Sequence, residues 1–148
     1  MIKKLLAVLT LTVCLVYILW QDSFNNLPSQ DVTFISETGE YTLHLKIADT
    51  PELHARGLMN VEYLPPRHGM IFINKEPVVN LFWMKDTYIP LDMIFVDEDG
   101  MIANIHKNAK PLDEFNKISS LVPVKYVIEI NAGESDEMSL EIGDKMIE

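Results

Sequence analysis

The sequence predicts a mostly β domain of the α+β class: a small, curled antiparallel sheet or partial barrel with two short helices. Three observations support this prediction. Short apolar segments alternate with turn-forming residues along residues 31–148, two turns contain helix-capping residues, and 148 residues suit one globular domain. Hydrophobic residues make up 48% of the chain, enough for a core, and the single cysteine, Cys14, excludes an intrachain disulfide.

The domain is predicted to begin with a β-hairpin. Thr38-Gly39-Glu40 supplies a turn between the apolar segments at residues 32–35 and 41–48. In the second segment, apolar residues alternate with Thr42, His44 and Lys46. Since successive side chains of a strand point to opposite faces, this strand should expose one face to solvent.

Two short helices are predicted from their end residues. Thr50 is a helix-capping residue, Pro51 suits the first helical position and Gly57 is a stop, so residues 51–56 should form a helix. Ser135 is predicted to cap a second helix. The acidic residues after Ser135 favour this helix, and Gly143 is predicted to end it.

The remaining strands are predicted from short apolar runs between turns. Residues 70–73 and 81–84 should be two short buried strands, and residues 107–123 should be rich in loops. Residues 91–96 and 101–106 should form a hairpin, and residues 126–130 a central strand.

Residues 1–30 are predicted to be a signal peptide or an N-terminal membrane anchor plus a tether, with a single globular β-rich domain at residues 31–148. Lys3 and Lys4 precede an uninterrupted apolar run at residues 5–20, a pattern typical of export. The run is shorter than the roughly 20 residues of a spanning helix, so cleavage and retention both stay open. We therefore expect an exported protein, either soluble in the periplasm or anchored to the inner membrane through residues 5–20.

The chain is acidic, with 22 acidic and 12 basic side chains and a formal net charge of −10 at pH 7. Because an acidic surface repels phosphates, nucleic acid is excluded as the main partner. Cys14 lies in the apolar run, and no serine stands in a nucleophile motif. We assign no catalytic residue, no metal ligand and no cofactor from the sequence.

The densest group of aromatic and charged residues surrounds a proline turn at residues 82–95. Convergent polar and aromatic side chains of this kind are typical of a ligand pocket. Arg56 is expected to join this group as a counter-charge, while His68 and Glu129 are further candidates from other segments. The candidate binding residues are Arg56, His68, Trp83, Lys85, Thr87, Asp92 and Glu129.

Asp92 and Glu129 each interrupt an apolar strand, so each buried carboxylate needs a partner. The expected partners of Asp92 are Arg56, Lys85 and the backbone near Gly57. In one interpretation Asp92 ties the short helix and the proline turn to the sheet, and in the other it forms part of a charged pocket floor. If Asp92 and Glu129 approached each other, the pair would suit hydrolysis.

Trp83 distinguishes a core from a binding site. A fully buried Trp83 would be a structural residue. A partly exposed Trp83 beside Phe82 and Tyr88 would form a platform for a sugar, a peptide or an aromatic ligand.

Several short motifs occur in a specific order: Arg56-Gly57-Leu58-Met59, Gly69-Met70-Ile71-Phe72, Phe82-Trp83-Met84-Lys85, Pro90-Leu91-Asp92, then Glu129, Ala132-Gly133 and Gly143-Asp144. In this order they resemble the prokaryotic family catalogued as domain of unknown function 192, from about residue 32 to residue 147. The resemblance implies a small β-rich domain, commonly preceded by a signal or an anchor, with no assigned activity. Asp86 departs from the asparagine that the family usually has there.

The sequence thus predicts a non-enzymatic domain of the cell envelope that binds a small ligand, a glycan or a segment of an envelope protein. One alternative is a hydrolase that uses Asp92 or Glu129 with His68. Another is a purely structural module tethered to the membrane. The predicted cleft is lined by Arg56, Trp83, Lys85, Thr87 and Asp92.

Overall fold

The structure is a computed structural model that describes Thr12, Cys14, Leu15 and residues 24–148. The predicted signal or anchor at residues 5–20 lies almost entirely outside these described residues. Within them, no helix is both long enough and apolar enough to cross a membrane.

Residues 29–147 form nine strands, with two short helices between them. The helices are α1 (Pro51–Arg56) and α2 (Glu134–Glu137). The strands are β1 (Ser29–Ser36), β2 (Gly39–Ala48), β3 (His68–Val78), β4 (Leu81–Phe82), β5 (Leu91–Val96), β6 (Ile102–Ala109), β7 (Ile118–Ser119), β8 (Val124–Asn131) and β9 (Lys145–Ile147).

Seven strands form one strongly curled half-barrel sheet in the order β6-β5-β8-β3-β2-β1-β9, and β4 pairs with β7 in a small second sheet. All pairings are antiparallel except that of β2 with β3. A parallel pair needs a crossover, and here residues 49–67, which include α1, supply it. The predicted mostly β, curled and largely antiparallel fold with two short helices is confirmed.

The two edges of the half-barrel meet at one end. β9 pairs with β1 on one side, and on its other side Lys145 forms a bridge with Met101, just before β6. The amide of Ile102 donates to the carbonyl of Asp144 at 2.9 Å, and the amide of Met146 donates to the carbonyl of Gly100 at 2.7 Å. These bonds satisfy backbone groups that an open sheet edge would leave unpaired.

The large sheet has a hydrophobic core on each face, although Asp31 and His44 leave the β1–β2 part of one face exposed. We call the loop face the side that Leu58, Val61 and Leu64 cover, and the helix face the side that Met138 and Leu140 cover after α2. Met70, Phe72, Met93, Phe95 and Val127 point to the loop face, whereas Ile71, Ile94, Ile128 and Ile130 point to the helix face.

Two local predictions are wrong. Residues 81–84 do not form a buried strand, since β4 covers only Leu81 and Phe82 and the Leu81 side chain is exposed. Ser135 does not cap α2: the helix begins after Gly133 and has only four residues. Residues 107–123 are rich in loops as predicted, and they also contain the end of β6 and the short strand β7.

Candidate functional site

A narrow cleft opens between α1 and the start of the small second sheet, on the loop face. We call it the Trp83 cleft. Its cavity is about 20 Å³, which is room for roughly one water molecule. It brings together four of the seven predicted binding residues. The cleft is lined by His54, Ala55, Arg56, Gly57, Leu58, Met59, Phe72, Phe82, Trp83, Thr87 and Glu129.

Local folding rules place the walls of the cleft. The Thr50 side chain accepts a hydrogen bond from the Leu53 amide and starts α1, and Gly57, with φ of 51°, ends it. On the other wall, Phe82 packs edge-on against Phe72, with ring centres 5.0 Å apart. A side chain at position 57 would lie 3.3 Å from the Phe72 ring, so glycine lets α1 approach the sheet.

Trp83 is a partly exposed platform and not a core residue, since 41% of it is accessible. Two ammonium groups lie over its ring: Lys117 Nζ is 3.8 Å from the ring centre and Lys85 Nζ is 5.5 Å away. Cations in these positions are attracted to the ring electrons and orient the indole. The mouth of the cleft is therefore aromatic and positively charged.

Glu129 lies at the floor of the cleft and is 4% exposed. Burial raises the pKa of its carboxyl group to about 8, because the anion is poorly solvated there. At neutral pH the carboxyl is therefore largely protonated and can donate a hydrogen bond. Since Gly57 lacks a side chain, Glu129 Oε2 comes within 3.7 Å of where a Cβ would stand.

Arg56 and Thr87 complete the polar lining. Partial burial lowers the pKa of the Arg56 guanidinium, which nevertheless stays protonated because its ordinary pKa is so high. The buried Thr87 hydroxyl donates to the Lys85 carbonyl at 3.1 Å, which fixes the turn that carries Lys85. The cleft thus offers hydrogen-bond donors and positive charge.

Asp92 lies outside the cleft. In the register of β5 with β8, Asp92 is opposite Ile130 on the helix face, whereas Glu129 is opposite Met93 on the loop face. The two carboxyl groups therefore point to opposite sides of one sheet. They do not form the hydrolytic pair that the sequence left open.

The hydrogen-bond partners of Asp92 also differ from the expected Arg56 and Lys85. Its Oδ2 accepts from the Gly133 amide at 3.0 Å, and from the amide and hydroxyl of Ser135 at 3.1 and 2.6 Å. Its Oδ1 accepts from the Asn108 amide at 2.9 Å. Asp92 is fully buried. Its carboxylate therefore ties the start of α2 and the end of β6 to β5.

His68 lies in a different cavity. That cavity, which we call the His68 groove, is about 530 Å³ and is lined by His44, Lys46 and Glu62, among other residues. His68 therefore does not share a cavity with Asp92 or with Glu129. Among the described residues, no group of three or more His, Cys, Asp or Glu side chains is arranged to hold a metal ion.

No curated protein matches the chain. The model of the DUF192 family, described as "Uncharacterized ACR", matches residues 33–147. The chain belongs to the DUF192 family. Among the solved structures that are similar to it are the following two.

The first similar structure is a candidate transcription regulator from Sinorhizobium meliloti 1021, with 38% identity and a TM-score of 0.79. The match covers 82% of this chain and 94% of the Sinorhizobium meliloti chain. The second is a protein of unknown function from Novosphingobium aromaticivorans DSM 12444, with 36% identity and a TM-score of 0.80. The match covers 82% of this chain and 86% of the Novosphingobium aromaticivorans chain. These comparisons establish the DUF192 fold and family for this protein.

The position at which this DUF192 domain departs from the usual asparagine is a turn residue. Asp86 has φ of 51° and is exposed, and its carbonyl accepts from the Asn60 amide at 2.7 Å. Asparagine and aspartate both tolerate this left-handed conformation. The exchange therefore keeps the turn and adds a negative charge beside Lys85.

Sequence reasoning missed two contributors to the site. Lys117 lies over Trp83 because β7 pairs with β4, and this pairing joins segments more than 30 residues apart. Phe72 forms a wall of the cleft through the curl of β3. No local pattern in the sequence indicates either contact.

Proposed function

We propose that this DUF192 protein is a non-enzymatic binding domain of the cell envelope that holds an acidic protein segment against Trp83. The observation that supports this most directly is the exposed Trp83 ring, with Lys85 and Lys117 over it, at the mouth of a cleft. A buried aromatic residue would have supported a structural module instead.

The size of the cleft favours an extended ligand. About 20 Å³ cannot enclose a metabolite, since pockets for such ligands usually span 300 Å³ or more. A chain that lies over Trp83 and inserts one small polar group needs no larger cavity. We therefore favour a segment of a larger molecule over a small ligand.

The polarity of the cleft favours a ligand with acceptor oxygens. Arg56, Lys85 and Lys117 are cationic, and protonated Glu129 can donate a hydrogen bond. A carboxylate or a carbonyl group accepts from donors of these kinds, and a carboxylate also carries the opposite charge to the three cations. This is the basis for an acidic segment.

Exposed apolar side chains favour a protein over a glycan. Leu81 is 67% exposed and Phe115 is 86% exposed, and both lie in the segments that carry Trp83 and Lys117. The amide of Met84 donates to the carbonyl of Asp113 at 2.9 Å, which holds these two segments together. Neighbouring exposed apolar residues mark surfaces that bind other proteins.

Location in the envelope is proposed from residues 1–30 alone. Lys3, Lys4 and the apolar run at residues 5–20 favour export, with the domain in the periplasm or on the outer side of the inner membrane.

The test uses peptides displayed on phage and selected against the full chain in mild detergent. Enriched peptides should contain Asp or Glu beside an apolar residue, and Trp83→Ala should weaken their binding at least tenfold, as for an aromatic hot spot. The matched control is Tyr63→Ala, an exposed aromatic residue that lines the His68 groove and not the Trp83 cleft. Equal binding of the selected peptides to wild type and Trp83→Ala would contradict the proposal.

A hydrolase stays the second candidate, because a buried carboxyl with a raised pKa in a cleft is also common in active sites. The separation of Glu129 from Asp92 and His68 leaves it without the partners that this alternative named. Incubating the selected peptides with wild type and Glu129→Gln decides between the two. Cleavage by wild type that Glu129→Gln abolishes would establish the hydrolase and overturn a non-enzymatic role.

A further inference from the structure

We propose a second site in this DUF192 domain: His44 and His68 bind a divalent transition metal such as Zn²⁺ at the His68 groove. Three side chains lie in a row across three neighbouring strands. Asp31 of β1 is opposite His44 of β2, and His44 is opposite His68 of β3. Since opposed residues share a face, all three point to the loop face.

The hydrogen bonds of the two histidines leave equivalent nitrogens for a metal. His44 Nδ1 lies 2.6 Å from the Asp31 carboxylate, and His68 Nδ1 lies 2.9 Å from the Pro66 carbonyl. Both acceptors require a proton on Nδ1, so each neutral ring keeps its lone pair on Nε2. Metal-binding histidines commonly donate their other nitrogen to a carboxylate or a carbonyl in this way.

The separation of the rings fits a shared metal. The ring centres of His44 and His68 are 5.2 Å apart, and the rings are tilted by 48°. Two imidazoles that bind one tetrahedral metal through Nε2, at bonds of about 2.0 Å, have centres about 5 Å apart. The observed separation of the two ring centres therefore matches the separation expected for a shared metal.

The ligand types select a class of metal. Imidazole nitrogen suits Zn²⁺, Cu²⁺ and Ni²⁺, whereas Mg²⁺ and Ca²⁺ prefer oxygen. Two histidines leave coordination positions open. Water, or a donor atom of a molecule in the 530 Å³ groove, would fill them.

This proposal is independent of the one for the Trp83 cleft, because the two cavities share no lining residue. It also differs from the expectation from the sequence, which assigned no metal ligand. His44 and His68 are 24 positions apart, so only the parallel pairing of β2 with β3 shows their proximity.

The test is a calorimetric titration of the full chain, purified in mild detergent without a histidine tag, with Zn²⁺. We expect one Zn²⁺ per chain, and His44→Gln and His68→Gln should each weaken binding at least tenfold. His106→Gln is the matched control, since His106 is exposed near the end of β6 and lines neither cavity. Absence of binding, or equal losses in all three variants, would overturn the proposal.

Asp31 gives a second and sharper readout. As a positioning residue it should orient His44, so Asp31→Asn should weaken Zn²⁺ binding about tenfold while both histidines remain. Electron paramagnetic resonance with Cu²⁺ should show two imidazole nitrogens in wild type and one in His44→Gln. The same nitrogen count in both proteins would contradict a shared site.

Discussion

At the scale of single residues, Glu129 shows how position decides chemistry. It lies on the same strand as four apolar neighbours, and its carboxyl group points into a cleft too small for bulk water. Burial alone raises its pKa to about 8. The carboxyl is therefore a hydrogen-bond donor at neutral pH, and its ionisation opposes folding.

Glu129 should make stability depend on pH. The ordinary pKa of glutamate, 4.5, describes the unfolded chain, so between about pH 4.5 and pH 8 the folded state binds the extra proton. Stability contributed by this group should fall by up to about 1.4 kcal/mol per pH unit across this window and then level off. Glu129→Gln should remove this slope, as urea unfolding at pH 5, 7 and 8.5 would measure.

The exposed Glu137 offers a control for that measurement. Glu137→Gln should leave the pH dependence of the free energy of unfolding as it is in wild type. If the free energies of unfolding of wild type and Glu129→Gln changed in parallel with pH, the result would show that Glu129 keeps its ordinary pKa in the folded protein.

At the scale of elements, Asp92 joins three parts of the fold. Its four hydrogen bonds connect β5 to the end of β6 and to the first residues of α2. α2 has only four residues, so its own hydrogen bonds cannot hold it in place. Asp92 therefore stabilises the fold by connecting these three elements, and it does not bind ligand in the Trp83 cleft.

Asp92→Ala should lower the free energy of unfolding by about 3–5 kcal/mol, because three backbone amides and one hydroxyl lose their acceptor inside the protein. Chemical denaturation followed by circular dichroism measures this. Asp49→Ala, at an exposed aspartate, should cost less than about 0.5 kcal/mol. A similarly small loss for Asp92→Ala would argue against the structural role.

Elements with local determinants could be predicted from the sequence. The hairpin of β1 and β2, helix α1 with its cap and stop, and strand β5 follow from neighbouring residues. Ser135 shows the limit. It looks like a helix cap, but its hydroxyl serves Asp92, 43 positions earlier in the chain. Such a contact depends on the folded sheet, so local pattern cannot reveal it.

The candidate site divides in the same way. Residue types identified Trp83, Arg56, Thr87 and Glu129, which do meet in one cleft. The closeness of Asp92 to Trp83 in the sequence predicts that it joins them. Because side chains alternate between the two faces along β5 and β8, the Asp92 side chain lies on the helix face, opposite to Glu129.

At the scale of the whole molecule, β9 determines how the sheet is closed. It pairs with β1 on one side and bonds with residues 100–102 on the other. Its Met146 side chain is 4% exposed and belongs to the core on the helix face. The three residues of β9 thus connect β1 to the segment just before β6.

Met146→Asp should lower the free energy of unfolding by at least about 3 kcal/mol, since it buries an unpaired charge where the two edges meet. Ile147→Asp should cost less than about 1 kcal/mol, because Ile147 points outward and is 43% exposed. Urea unfolding of both variants measures the difference. Equal losses would show that β9 does not close the sheet.

The position of β9 also constrains when this chain can finish folding. β1 is the first of the described strands to be made, yet one of its edges pairs only with residues 145–147, more than 100 positions later. Contacts between distant segments form slowly, because the intervening chain must first be ordered. The domain therefore stays incomplete, with an open edge prone to aggregation, until synthesis reaches residues 145–147.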